Sequence, residues 1–335
     1  MKTTGVRQML YRVITAVVWW VVACSVGGGA LAGERCRHPV TCPRVEEAGF
    51  ATILHRSESS LAIFQLVENP HVFVIDFPDL DAQGEALNRV AALIEKRDAP
   101  KKRLLNDHEL ASAIAHAGRT PATYFLAHDY RLPDLARAFT LAEHQKLALN
   151  RRERCVVTLL KTSGTARTEG EYSIISISAV GPSSPPQAKL HLSTSARAAL
   201  LRHEVSHGEY FTNGRYFKYC WDFWHHLPPD VQQVFRDGLG DLGYDASQED
   251  LMVNETQAYL WELDNAAMID MNLRQYHTSI ESLRKVFLNG LDASRPPISQ
   301  LFTLKEMRVP CPYNAPGARK IEKITEPPSS RGGDL

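Results

Sequence analysis

The residues best placed to do chemistry are His203, Glu204 and His207, in the run HEVSH. Side chains four positions apart lie on one face of a helix, so two imidazoles at this spacing can point at one metal ion. A carboxylate one position after the first histidine can reach a water held by that ion. Zinc lowers the pKa of such a water towards about 7, and Glu204 is the residue that would take its proton before attack on a polarised carbonyl. By chance the pattern arises in roughly three of a hundred chains of this length and histidine content. The preceding residues 196–201 (ARAALL) are strong helix formers, as the geometry demands.

Zinc hydrolases keep three protein ligands and one open position. HEVSH, the strand-like stretch before it and the later Asn254-Glu255-Thr256-Gln257-Ala258 together resemble the zincin superfamily of metallopeptidases, over about sixty residues. The resemblance implies an α+β fold with a zincin-like catalytic region: an edge strand, the HExxH helix and a second ligand-bearing helix. The metzincin branch requires Gly three and His six residues after the second histidine. Tyr210 and Asn213 stand there, so that branch is excluded. In the gluzincin-like branch the third ligand is a later glutamate. Glu249, Glu255 and Glu262 are the choices, and Asn-Glu-x-x-Ala selects Glu255. Glu249 suits the first turn of its helix, where an acid meets the positive end of the dipole. Glu262 lies two turns on and on the same face as Glu255. An aspartate from Asp222, Asp237, Asp241 or Asp245 is the remaining alternative. The 47 residues between His207 and Glu255 exceed the thermolysin spacing.

A donor for the oxyanion is also needed. Tyr259, four residues after Glu255, can reach the same site, while Tyr210, Tyr216, Tyr219, Tyr244, His225 and His226 are further candidates. The resemblance also implies that the strand around 171–180 is the edge holding extended substrate by main-chain pairing. These readings lead to one bound zinc ion, a peptide or protein substrate, and hydrolysis of peptide bonds by a Glu-activated, zinc-bound water. Two alternatives stay open: a zinc amidase of the cell envelope acting on non-peptide substrates, and a catalytically silent binding protein.

The positioning elements follow from periodicity. Residues 71–77 (HVFVIDF) read as a strand, and 81–96 carries apolar residues at helical spacing. Residues 107–118 and 133–149 read as helices, and 123–127 as a short strand. His128-Asp129-Tyr130 reads as a loop. Residues 155–161 and 171–180 are β-rich, and Ser193 or Ser195 is placed to cap the metal helix. The aromatic segment 216–224 reads as packing. Helices follow over 231–238, 247–271 and 278–289.

At the N-terminus, Lys2, Arg7 and Arg12 precede an apolar run over 13–26 and then Ala30-Leu31-Ala32. This is the layout of a secretory signal peptide cut after Ala32. The run is too short for the roughly 20 residues that span a bilayer, so no transmembrane span is expected after processing. Val21-Val22-Ala23-Cys24 also resembles a lipobox, which would make Cys24 a lipid anchor. The expected location is periplasmic or secreted, or membrane-tethered in the lipoprotein case. The remaining cysteines are Cys36, Cys42, Cys155, Cys220 and Cys311. Their number is odd, Cys36 and Cys42 are near enough to pair locally, and no Cys-x-x-Cys pattern occurs. Lys+Arg and Asp+Glu both count 38, so no basic field exists to bind nucleic acid. The organisation expected is a signal peptide (1–32), a mixed α/β region (33–150), a zincin-like domain (151–311) and a loose tail (312–335).

Overall fold

A strand buried on both faces reads as an unbroken apolar run, and residues 72–77 form such a strand. In the computed structural model, which describes residues 42–162, 172–180, 192–262 and 276–291, the elements follow in this order: β1 (Val45–Ala48), α1 (Phe50–Leu54), β2 (Ala62–Leu66), β3 (Val72–Phe77), α2 (Leu80–Ile94), α3 (Asp107–His116), β4 (His128–Arg131), α4 (Leu132–His144), α5 (Arg151–Thr162), β5 (Ser173–Ser178), α6 (Thr194–Thr212), α7 (Gly214–His226), α8 (Pro229–Asp241), α9 (Glu249–Glu262) and α10 (His277–Gly290). The fold is α+β, with one small mixed sheet ordered β1-β2-β3-β5-β4. β1 and β2 are parallel, as are β3 and β5, while β2–β3 and β4–β5 are antiparallel.

Every residue of β3 and β5 is buried. Their side chains alternate between two cores, as the period of two requires. Val72, Val74, Ile175 and Ile177 join the core shared with α6, α7 and α9, whereas Phe73, Ile75, Phe77 and Ile174 join that shared with α2, α4 and α5. The sheet takes β1 to β4 from before residue 150 and β5 from after it.

Several expectations change. The strand over 173–178 lies inside the sheet, hydrogen-bonded to β3 on one side and β4 on the other, so it is not an edge. The edge on that side is β4, formed by the His128-Asp129-Tyr130 stretch read as a loop, while 123–127 forms turns and bends instead of a strand. Residues 155–161 belong to helix α5. Asn150 and Glu153 account for this: Asn150 Oδ1 accepts from the Glu153 amide at 2.9 Å and Glu153 Oε2 accepts from the Asn150 amide at 2.7 Å. That reciprocal cap starts a helix, and Cys155, Val156 and Leu159 bury one stripe of it despite their β propensity.

Cys42 pairs with Cys155, 113 residues away, in place of the local pairing with Cys36. Cys220 is buried and free, while Cys24, Cys36 and Cys311 lie outside the described residues, as do the signal-like segment and the tail. Among the described residues no helix is long and apolar enough to cross a membrane.

Candidate metal centre

Helix α6 carries HEVSH, and its start is fixed by the Ser193 hydroxyl, which accepts from the Ala196 amide at 3.1 Å. One turn on, the fully buried Arg197 locks the helix to the sheet. Its guanidinium donates to both oxygens of Asp76 on β3 at 2.9 Å, and to the carbonyls of Ser178 and Ile53 at 2.6 Å. Planar bidentate pairing of this kind fixes angle as well as distance. At the other end of the motif, Gly208 lets the helix touch the sheet. A Cβ there would stand 2.9 Å from both Val72 methyls. Between these anchors His203, Glu204 and His207 are all more than nine-tenths buried.

Helix α9 packs along α6 and carries Glu255, which is 2% exposed. Its Oε2 lies 3.8 Å from His203 Nε2 and its Oε1 3.9 Å from His207 Nε2. One ligand atom from each of His203, His207 and Glu255 lies within 4.8 Å of the others. Ligands about 2.0–2.2 Å from a tetrahedral ion stand roughly 3.4 Å apart. The three groups therefore fit one metal ion after an inward shift of about half an ångström. The His203 and His207 rings meet edge-on, 4.6 Å between centroids, and the Tyr259 ring lies 4.8 Å from that of His203.

A fourth residue reaches the centre from the sheet. Asp129 on β4 stands opposite Ile175 and so faces the α6 side. Its Oδ2 lies 3.6 Å from His207 Nδ1 and accepts from Asn254 Nδ2 at 3.2 Å. Asp129, Glu204 and His207 form a second group with ligand-capable atoms within 4.8 Å. The sequence reading missed Asp129 because a four-residue strand has too few positions for alternation to show. The available signal was Leu132-Pro133, which opens α4 and marks 128–131 as a separate element.

Several other candidates are engaged elsewhere. Tyr210 donates to Asp250 Oδ1 at 2.7 Å, Tyr216 to Gln257 Oε1 at 2.6 Å and Tyr219 to the Phe287 carbonyl at 2.6 Å. Glu249 accepts from Trp224 Nε1 and Arg236, each at 3.0 Å. Asp222 pairs with Lys218, Asp237 accepts from Gln233, Asp245 accepts from Ser247, and Asp241 is exposed. His225 and His226 are exposed at the end of α7. Glu262 closes α9, and its side chain lies outside those described. Tyr244 is held well above its ordinary pKa, first by burial and then by the nearby charge of Glu255.

Compared with known protein families, curated proteins and solved structures, the chain matches none of them. The reading of this centre accordingly stands on its own residues and distances.

Proposed function

We propose that the protein is an exported, zinc-dependent metallopeptidase in which His203, His207 and Glu255 hold the ion and Glu204 is the general base. The observation that carries the reading is the convergence of those three buried ligand-capable atoms. Glu204 lies on the same turn of α6, itself buried. Two imidazoles and a carboxylate form a set suited to zinc, whereas calcium and magnesium favour oxygen alone. Bound there, zinc would acidify water and polarise a carbonyl. The chain's own contribution is the carboxylate of Glu204, which accepts the proton and passes it to the leaving amine. Tyr259, whose ring lies 4.8 Å from that of His203, is the candidate to steady the oxyanion.

A peptide substrate is supported by the position of β4. It ends the sheet, no described strand pairs with its outer side, and it carries Asp129 beside the centre. An extended peptide adds to such an edge through main-chain hydrogen bonds. This role moves from the 171–180 strand, where the sequence pointed, to 128–131. Export is supported by the N-terminal charge and apolar pattern and by the Cys42–Cys155 pairing, since disulfides persist in oxidising compartments.

The test is zinc content and peptide cleavage measured together on one peptide library. The expected result is about one zinc per chain, lost in His203→Ala, His207→Ala and Glu255→Ala. Glu204→Gln is expected to keep zinc and lose cleavage by several orders of magnitude. Unchanged zinc in both histidine variants overturns the metal assignment. A zinc-loaded wild type that cleaves no peptide overturns the peptidase assignment in favour of an amidase or a binding protein.

A further inference from the structure

A histidine that binds metal through Nε2 must carry its proton on Nδ1, and its other partners decide whether it does. Around His207 those partners form a connected chain. Trp261 Nε1 donates to the Tyr216 hydroxyl at 2.6 Å, and that hydroxyl donates to Gln257 Oε1 at 2.6 Å. Gln257 Nε2 donates to Asn254 Oδ1 at 3.4 Å, and Asn254 Nδ2 donates to Asp129 Oδ2 at 3.2 Å. Asp129 Oδ2 in turn faces His207 Nδ1 at 3.6 Å. Trp261, Tyr216, Gln257 and Asn254 are at least nine-tenths buried, so water does not substitute for these contacts.

The direction of the chain is fixed from both ends. An indole N–H can only donate and a carboxylate can only accept. Between them, the hydroxyl and the two amides have one consistent orientation. Reversing Asn254 would set its carbonyl against the Asp129 carboxylate. Reversing Gln257 would leave its oxygen against Asn254 Oδ1. Every donor thus points towards Asp129, which accepts from Asn254 and is left to accept from His207.

We propose that this one-way chain, anchored at Trp261 and ending at Asp129, sets the Nδ1–H tautomer of His207, with Asp129 as its positioning residue. The inference rests on the reading of His207 as a ligand through Nε2. The chain also spans the three elements that build the centre. Asp129 belongs to β4, His207 to α6 and Asn254 to α9, where it directly precedes Glu255. Orientation of one ligand and placement of the helix bearing another therefore share the same hydrogen bonds. Among metal-binding histidines such outer partners typically change affinity 10- to 100-fold when lost.

The experiment uses two readouts on the full chain. Long-range ¹H–¹⁵N correlation on metal-free, histidine-labelled protein at pH 8 reports the tautomer, with His207→Gln assigning the signal. Zinc titration against a competing chelator reports affinity. Wild type is expected to carry the proton on Nδ1. In Asp129→Leu the acceptor that faces His207 Nδ1 is removed without a new donor in its place. The tautomer then moves to Nε2–H and zinc binds 10- to 100-fold more weakly. Tyr216→Phe, at the far end, is expected to bind zinc several-fold more weakly with unchanged circular dichroism. Nε2–H in wild type, or Nδ1–H retained in Asp129→Leu, overturns the proposal. Unchanged affinity in Tyr216→Phe overturns the part of the chain beyond Asn254. A protein that binds no zinc refutes the metal reading, and the tautomer measurement still decides the chain independently.

Discussion

Replacing Gly208 with alanine tests whether close approach of α6 to the sheet is what sets the height of the metal centre. The new Cβ would lie 2.9 Å from both Val72 Cγ1 and Cγ2, with Ser173 Oγ at 3.5 Å in ordinary contact. Rotating Val72 does not relieve the clash, because both methyls flank the position and a β-branched side chain has few rotamers. Val72 is fully buried at the start of β3, so the helix must lift or the strand must yield. Overpacking of this kind costs about 1–3 kcal/mol. Against it stands a gain of about 1 kcal/mol from alanine over glycine in a helix interior. The net expectation is a loss of about 1 kcal/mol, or a few degrees in Tm for a chain of this size. In a Val72→Ala background the clash is absent, and Gly208→Ala should stabilise by about 1 kcal/mol. The coupling between the two sites then equals the overpacking term, about 1–3 kcal/mol. Urea denaturation of the four proteins, with chelator present to keep metal affinity out of the comparison, measures it. Additive effects, with Gly208→Ala stabilising in both backgrounds, would refute the claim that α6 presses on Val72 here.

Two further expectations concern the scaffold. His128 is buried with Nδ1 against Ser176 Oγ, and burial lowers its pKa to about 3. The fold therefore favours the neutral ring, its stabilising effect is full above the unfolded pKa near 6.5, and it is lost as pH falls towards 3. Between pH 7 and pH 5 this one group should cost about 2 kcal/mol in urea denaturation of metal-free protein. His128→Gln should remove that part of the pH dependence, and an unchanged slope would count against it. The Cys42–Cys155 bridge closes a loop with a sequence separation of 113, which chain-entropy arguments value at about 4–5 kcal/mol. A reductant or Cys42→Ser should lower thermal stability accordingly, with Cys220 unreactive towards thiol reagents until unfolding. A bridge-less protein of unchanged Tm would argue against the pairing.

Local signals carried much of the candidate metal centre in this chain. HEVSH is a helix motif with its own periodicity, the alanine-rich run before it is a strong helix former, and Asn254-Glu255 selected one glutamate among three. The buried run at 72–77 and the helix after it were equally plain, because apolar spacing is a local property. What escaped was set by pairing at a distance. β4 exists as a strand because β5 lies beside it in register, and nothing within four residues announces that. β5 looked like an edge because the order of strands in a sheet is not written in any one of them. Helix α5 was hidden by a β-branched composition whose capping residues, Asn150 and Glu153, lie at its very start. The cysteine pairing across 113 residues depends on the finished fold.

The centre is costly to build, and that cost bears on its purpose. Glu204, Glu255 and Asp129 gather beside two imidazoles in a site mostly closed to water. Like charges in low dielectric repel, and each buried carboxylate forgoes hydration. A sequence selected only for a stable core would fill this volume with apolar side chains. Instead three separate devices hold the charges together: β5 fixes the register of β4 and so the aim of Asp129, Arg197 and Gly208 fix α6 on the sheet, and Tyr216 with Gln257 fixes α9. A divalent cation between the ligand atoms would convert the repulsion among the carboxylates into attraction, which is the physical reason to read the cluster as a functional site.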